Sequence, residues 1–176
     1  VHENKDQLCG WNAFSENFGV GRLWIGREVK SPALAKLESL AKERDIPVEY
    51  ESRNKGFALD GVEGKFLWPE VSDADAVVTA RNKDSLVLRL KYRNRTLVLP
   101  GDAEKQAEQA MLTENSEEDL RADVLAVGHH RSKNATKQEL LEAVPPRVAI
   151  ISAGEEKPNG HPSPDLLDGC PPAGGR

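Results

Sequence analysis

Alternating apolar and polar residues give the clearest secondary-structure signal of the chain, between residues 84 and 102. Leu86, Leu88 and Leu90 alternate with valine, arginine and lysine, the segment YRNR interrupts the pattern, and TLVL restores it. A period of two places apolar side chains on one face of a β-strand, and a short polar turn between two such runs indicates a hairpin. The pattern therefore predicts an antiparallel β-hairpin over residues 84–102.

Apolar residues at every third position predict a helix from Ser31 to Asp45. Ser31 is a favourable N-cap, and Pro32 suits the first turn, where its missing N–H donor has no intrahelical partner. We expect the apolar face of this helix to consist of Leu34, Leu37 and Leu40.

The remaining patterns predict strands and helices on both sides of the hairpin. A strand pair over residues 56–69 has Gly61 and Gly64 as its turn residues. Short strands are expected over residues 20–26, 46–52, 122–128 and 147–154, the last two being continuous apolar runs typical of buried strands. Helices are expected over residues 103–115, 137–144 and 163–169. This order of elements indicates an α/β layer architecture.

Composition places the chain among ordinary globular proteins. With 176 residues, of which 38% are hydrophobic and 30% charged, it fits one domain. Its apolar runs are far shorter than the roughly 20 residues that cross a bilayer. A net charge of −5 argues against a protein that coats nucleic acid nonspecifically, although a local basic site stays open. Cys9 and Cys170 are too few for a disulfide framework and lack the spacing of a zinc knuckle.

Polar side chains with metal-binding chemistry follow three of the predicted strands. Asp102 ends the segment LVLPGD, His129 and His130 end VLAVGHH, and His161 follows the last predicted strand after a short loop. If neighbouring strands run parallel, these strand ends meet at one edge of the sheet, the usual ligand site of open α/β folds. Histidine and aspartate are ligands for zinc, manganese or iron, and a bound divalent ion lowers the pKa of water. The pattern therefore predicts a metal site.

Each of these residues also has a purely structural interpretation. Asp102 precedes a predicted helix and would serve as its N-cap, and His161 would serve as a turn residue. His129 and His130 point to opposite faces if they continue a strand, so at most one of them faces a given site. His2 stands near the start of the chain, where side chains fray easily. The segment RSK after the histidine pair is either a solvated basic loop or a phosphate contact.

Four segments together resemble the metallo-β-lactamase-fold domain of the ComEC family of DNA-uptake competence proteins. They are NKDSLVLRLKYRNRTLVLPGDAEKQAEQAML, LRADVLAVGHHRSKN, PPRVAIISAGEEKPNGHPSPDLL and VHENKDQLCGW, the last of which is similar to the family's HxHxDHxGG stretch. The resemblance implies an αββα sandwich, here without its N-terminal strands, whose site lies at the strand ends. It also implies a domain over residues 1–167 and a longer parent protein with membrane spans, and the Gly/Pro-rich composition after this domain predicts a disordered tail over 168–176.

The resemblance implies a metal-ligand set as well. The matching positions are His2 and Asp6 in the HxHxDH stretch, Asp102 in the GD motif and His161 in the GHPSP motif. Asn4 and Gln7 stand where two further histidines belong, and an amide oxygen is a poorer ligand than imidazole. The expected cofactor is therefore zinc or manganese, with one ion or none bound.

Catalytic roles follow from the same resemblance. His129, His130 and Ser132 match the family's HHGS motif, in which Arg131 replaces the glycine. The residues expected to act in catalysis are Asp6, His130 and Lys133. His130, helped by the neighbouring cations, would bind or protonate the departing phosphate.

The leading functional hypothesis is a metal-dependent hydrolase of phosphodiesterase or nuclease type, acting on DNA during uptake. The alternative is a catalytically silent domain that serves as a scaffold or as a nucleic-acid or partner-binding module, and the substituted ligands favour it. Hydrolysis of a small ester or amide is a third option, since this fold supports many chemistries. Whether the chain is an enzyme is therefore left open by the sequence. The resemblance implies a soluble domain of a bacterial membrane protein, on the extracytoplasmic side.

Overall fold

A computed structural model describes residues 10–26, 29–70, 78–79, 85–127 and 138–151 of the chain. In these ranges the helices are α1 (Trp11–Asn17), α2 (Pro32–Glu43), α3 (Lys105–Glu114), α4 (Glu117–Leu120) and α5 (Gln138–Ala143). The strands are β1 (Leu23–Ile25), β2 (Val29–Lys30), β3 (Val48–Tyr50), β4 (Gly56–Leu59), β5 (Val62–Trp68), β6 (Val78–Thr79), β7 (Val87–Tyr92), β8 (Arg95–Leu99), β9 (Val124–Ala126) and β10 (Val148–Ile150). None of the described helices is long and apolar enough to span a bilayer. The helix predicted over 163–169 and the tail over 168–176 lie outside the described residues.

The main sheet has six strands in the order β10-β9-β8-β7-β5-β4. Strands β8, β9 and β10 are parallel to one another, whereas β7, β5 and β4 join them by antiparallel pairing. Parallel neighbours need a crossover connection, and helices α3 and α4 connect β8 to β9 while α5 lies between β9 and β10. Two further strand pairs, β1 with β3 and β2 with β6, are also parallel.

The hairpin predicted from alternating residues is confirmed as β7 and β8. Leu88 pairs with Leu99 and Leu90 pairs with Leu97, so the alternating leucines share one face of the sheet. The turn falls at Arg93, whose φ of 54° lies in the left-handed region, and the following asparagine. A two-residue turn with this backbone shape matches the twist of the strands and fixes their register.

Helices α3, α4 and α5 cover one face of the main sheet and enclose the larger core. Val98 and Leu125, on neighbouring parallel strands, are fully buried beneath these helices. The whole core consists of Leu67, Val87, Val98, Ala103, Ala107, Met111, Leu120, Ala122, Leu125, Leu140, Leu141 and Val144. Removing such surface from water contributes about 25 cal/mol per Å². This core therefore holds the parallel strands and their connecting helices in place.

A smaller core lies between α2 and the strands β1 and β3. Ser31 caps α2 as predicted, because its Oγ accepts a hydrogen bond from the backbone N–H of Leu34 at 3.3 Å. The buried face ends in Ala41 rather than the predicted Leu40, which is half-buried, since the helical repeat is 3.6 residues and not three. The core consists of Leu23, Ile25, Leu34, Leu37, Ala41 and Ile46.

Aromatic contacts connect this smaller unit to the main sheet. Trp24 lies in β1 between two residues that face α2, and its ring centroid is 4.5 Å from that of Phe57 and 5.5 Å from that of Phe66. Since Phe57 and Phe66 belong to β4 and β5, the layers follow the order α2, β1 with β3, main sheet, and α3 with α5. The predicted α/β sandwich is confirmed in this order of layers.

Gly64 has a different role from the one that its residue type suggests. It lies inside β5, opposite Phe57, whose ring occupies the space that a Cβ would need. The prediction of a turn at Gly64 is therefore wrong, whereas the turn at Gly61, with a φ of 81°, is confirmed. A glycine in a strand often marks such a close approach.

The face of the main sheet that the helices leave uncovered is apolar and partly exposed, as far as the chain is described. Its half-buried members are Leu88, Leu90, Leu97, Leu99, Val124 and Ala126. Val148 and Ile150 of β10 are 52% and 53% exposed, so the prediction of a buried strand is wrong for these residues. In the described sheet β10 is an edge strand, with a neighbour on one side only.

Candidate metal centre

The predicted site lies where three parallel strands of the main sheet end. Leu97 of β8 pairs with Val124 of β9, and Ala126 of β9 pairs with Ile150 of β10. Parallel strands present their carboxyl ends at the same edge of a sheet. Along the sequence, Asp102 follows β8, His129 follows β9 and His161 follows β10. The parallel arrangement that the sequence analysis required is therefore present.

Asp102 is the predicted site residue that falls within the described part of the chain. It follows a tight turn in which Gly101 has a φ of 58° and the N–H of Ala103 donates to the carbonyl of Pro100 at 3.2 Å. Its side chain is buried, with 2% exposure. A buried carboxylate is costly unless it is hydrogen-bonded or binds a cation. Asp102 thus has the burial expected of a metal ligand.

The competing interpretation of Asp102 as a helix cap is wrong. The N-cap of α3 is Glu104, two residues further along the chain, and its side chain makes no capping hydrogen bond. Ala103, between these two acids, is part of the larger core. The turn after β8 therefore ends in Asp102 two residues before the cap of α3.

Ser85 is a further polar residue at this edge, and the sequence analysis missed it. It is 1% exposed, and its hydroxyl has no hydrogen-bond partner among the described residues. A Cβ built at Gly101 would lie 3.6 Å from the Cβ and 3.9 Å from the Oγ of Ser85. From the sequence, Ser85 is simply a polar residue before an apolar strand, because its burial depends on a turn sixteen residues away.

The other predicted site residues lie outside the described part of the chain. They are His2, Asp6, His130, Lys133 and His161, together with the neighbouring His129 and Arg131. Among the residues that are described, no group of three or more histidines, cysteines, aspartates or glutamates could hold a metal ion. What the described residues contribute is a buried carboxylate at Asp102 and an unpaired buried hydroxyl at Ser85. Both fit a divalent cation with hydrogen-bonded oxygen ligands.

Asp123 stabilises the start of β9 and so the strand that leads to the two histidines. Its carboxylate accepts hydrogen bonds from the N–H of Thr96 at 2.9 Å, from the Thr96 hydroxyl at 3.2 Å and from Arg95 at 3.1 Å. The backbone donor of Thr96 is the main reason that the pKa of Asp123 lies below its ordinary value of 3.8. These bonds fix β9 against β8 at the end opposite to the site.

A polar cleft of about 430 Å³ lies on the helix-covered side, toward the amino end of β8. Lys65 there forms an ion pair with Asp119 at 2.8 Å. Burial raises the pKa of Asp119, but hydrogen bonds from Lys65 and Ser116 outweigh this effect and hold the pKa below 3.8. The cleft contains the basic residues Lys55, Lys65, Arg89 and Lys91 and the acidic residues Glu63, Glu118 and Asp119. Because its charges are mixed and it lies away from the carboxyl ends of the parallel strands, it is not the predicted site.

Comparison with curated proteins relates the chain to competence proteins. It is 31% identical over 168 residues, or 95% of its length, to ComE operon protein 3 of Bacillus subtilis. It is 36% identical over 98 residues to Recombination protein 2 of Haemophilus influenzae and 31% identical over 105 residues to Competence protein ComA of Neisseria gonorrhoeae. The chain is thus similar to a segment of ComEC-family proteins.

The match to ComEC relatives concerns a limited part of those proteins. The chain spans 21% of the Bacillus protein, 12% of the Haemophilus protein and 14% of the Neisseria protein. No protein-family model matches the chain.

Comparison with solved structures supports the fold of this chain. The chain is similar to CmlA, a diiron β-hydroxylase from Streptomyces venezuelae, with a TM-score of 0.59 and 11% identity over 87% of this chain and 34% of that one. CmlA has a metallo-β-lactamase fold. The predicted fold family is therefore confirmed, and an identity this low carries no conclusion about chemistry.

Proposed function

We propose that this chain is a metal-dependent phosphodiesterase domain that cleaves DNA during uptake. The observation that carries the proposal is the buried carboxylate of Asp102 at an edge where three parallel strands end. The chain continues from the other two strand ends toward His130 and His161. Side chains of these types would have the chemistry of a site for a divalent cation if they meet Asp102 at this edge.

Four residues would hold the ion, and they are His2, Asp6, Asp102 and His161. Two imidazoles and two carboxylates suit zinc or manganese. A divalent ion in such a site polarises a phosphoryl oxygen and lowers the pKa of water. Asn4 and Gln7 remove two imidazole ligands, so we propose that one ion is bound.

The remaining residues of the site would act on the phosphodiester directly. The imidazolium of His130 would donate its proton to the departing oxygen, as a general acid. Lys133 would pair with the phosphate oxygens, whose negative charge it offsets. Asp6 would orient the attacking water while it contacts the ion.

The names of the relatives support DNA as the substrate. Two of them are called competence or ComE operon proteins, and the third is called a recombination protein. We propose that the domain spans residues 1–167 with an unstructured tail over 168–176. It would act on the extracytoplasmic side, as the soluble part of a longer membrane protein.

The test is cleavage of end-labelled linear DNA by the purified chain with manganese or zinc, with and without a chelator. We expect cleavage with metal, none with chelator, and a loss of at least about a hundredfold in Asp102→Asn, as for other essential charged groups. Asp60→Asn is the matched control, because Asp60 is an exposed turn residue with a φ of 49° that asparagine tolerates. Cleavage that survives the chelator, or survives Asp102→Asn, contradicts the proposal.

A catalytically silent binding domain is the second candidate, and Asn4 and Gln7 are the observation that favours it. Such a domain would bind DNA or another partner with the same affinity in the presence of a chelator. Fluorescence anisotropy of labelled DNA, measured with metal and then with chelator, separates the two candidates, since a phosphodiesterase would shorten the probe only with metal.

A further inference from the structure

Ser85 carries a buried polar group whose interactions are incomplete. Its exposure is 1%, and within the described part of the chain its Oγ has no hydrogen-bond partner. Burying a hydroxyl without a partner is unfavourable, because the hydrogen bonds that it makes to water are lost and not replaced. At such a position, serine stabilises the fold less than alanine would.

Ser31, another buried serine of the protein, has a hydrogen-bond partner. It is also buried, with 6% exposure, and its Oγ accepts a hydrogen bond from the N–H of Leu34. The unpaired state of Ser85 is therefore a property of its position and not of buried serines in this fold.

The position of Ser85 brings it next to the turn that carries Asp102. Leu88 of β7 pairs with Leu99 of β8 at the end of the ladder, and the chain then turns at Gly101, directly before Asp102. Ser85 packs beside this turn, because the Cβ position of Gly101 lies 3.6 Å from the Cβ of Ser85 and 3.5 Å from the carbonyl oxygen of Leu86. Two buried polar residues thus lie at the same strand edge.

We propose that Ser85 is a positioning residue whose hydroxyl donates a hydrogen bond to the carboxylate of Asp102 when the site holds a divalent ion. The inference rests on the proposed metal site. A carboxylate has two oxygens with about four acceptor positions, so Asp102 can accept this bond besides its other contacts. Hydrogen bonds to a coordinating carboxylate fix its orientation, and loss of such a bond weakens metal affinity. The metal-loaded state would supply the partner that the Ser85 hydroxyl lacks.

The test compares Ser85→Ala with the full chain by two measurements, zinc affinity by competition with a chelating dye and thermal unfolding in excess chelator. We expect Ser85→Ala to weaken zinc binding by about tenfold or more. In chelator we expect its midpoint of unfolding to be unchanged or higher, because alanine removes an unpaired buried hydroxyl. A purely structural serine would lower this midpoint instead.

Ser31→Ala is the matched control, since it also removes a buried hydroxyl. We expect it to lower the unfolding midpoint through the lost helix cap and to leave zinc affinity unchanged within about twofold.

Three outcomes overturn the inference, and one of them also overturns the proposed function. If Ser85→Ala binds zinc as tightly as the full chain does, Ser85 has no positioning role while the metal site stands. If Ser85→Ala lowers the midpoint in chelator as Ser31→Ala does, the hydroxyl has a structural partner. If the full chain itself binds no zinc, the metal site and the role of Ser85 fail together.

Discussion

The two faces of the main sheet differ sharply, although the same strands build both. On the helix-covered face, Val98 and Leu125 are fully buried in the larger core. On the other face, Leu97 of the same strand is half-buried, and Ile150 of the edge strand is about half exposed. Within the described residues, β1 and β3 cover this second face only near β4 and β5, through Trp24. The stability of the described unit therefore comes mainly from one face.

This difference bears on the candidate site. The turn after β8 continues into Ala103, which belongs to the covered core, and α3 begins two residues later. Asp102 is therefore positioned by the better-packed half of the molecule. A metal ligand requires such rigid support, because small displacements of a ligand weaken the site.

The largest expected effect comes from a cavity in the covered core. We expect Leu125→Ala to lower the free energy of unfolding by about 2–5 kcal/mol, through lost burial and an unfilled cavity. Ile150→Ala, on the next strand and the exposed face, should cost about 1 kcal/mol or less. Urea unfolding followed by circular dichroism measures both, and equal losses would contradict the contrast between the faces.

The second largest effect is expected at Gly64, beside the aromatic side chains that cover part of the otherwise exposed face. Gly64→Ala would put a methyl group where the Phe57 ring lies, and we expect a loss of about 1–3 kcal/mol from this overpacking. Because Phe57 contacts Trp24, the tryptophan emission should change as well. Gly21→Ala serves as control, since nothing lies within 4 Å of its Cβ position. An unchanged unfolding midpoint in Gly64→Ala would show that Phe57 does not hold the layers together.

Acid should weaken the attachment of β9 to β8. The pKa of Asp123 is lower in the folded chain than its ordinary value of 3.8, so its contribution to stability is present above that value and is lost as the pH falls through the folded pKa. We expect Asp123→Asn to reduce stability at neutral pH and to have little effect once the carboxylate of the unaltered chain is protonated. Urea unfolding at several pH values, with Asp60→Asn as control, measures this. A difference between Asp123→Asn and the full chain that stays constant down to low pH would contradict it.

The smallest effect is expected at the ion pair of the polar cleft. Lys65 and Asp119 have side chains that are 36% and 24% exposed, so their attraction is weakened by solvent. We expect Lys65→Met, which keeps the aliphatic stem, to cost about 0.2–1 kcal/mol, with a smaller difference in high salt. Thermal unfolding at two salt concentrations measures it, and a loss as large as that of Leu125→Ala would mean that the cleft is part of the core.

The hairpin and the start of α2 were predicted well because each depends on interactions between residues close together in the sequence. The leucines of the hairpin and the cap at Ser31 follow from neighbouring residues in the sequence. Helix α1 was missed, because its segment WNAFSEN has no capping side chain at its start and buries no residue. The exposure of β10 depends on which strands lie beside it, and that is decided by distant parts of the chain.

The sheet edge of the candidate site was predictable from the sequence, whereas the contacts around Asp102 were not, and its role as a metal ligand stays a prediction. Asp102 was found because it follows a strand, and the parallel order of β8, β9 and β10 agrees with that reasoning. Ser85 was missed because burial and an unpaired hydroxyl are properties of the packed turn at Gly101. The roles of His2, Asp6, His130, Lys133 and His161 stay predictions.

The most direct test of the account is the metal content of the purified chain, measured by mass spectrometry after removal of bound ions and refilling with zinc or manganese. The account predicts one tightly held ion per chain, lost in Asp102→Asn and retained in Asp60→Asn. No ion in the unaltered chain, or the same ion content in Asp102→Asn, would contradict it.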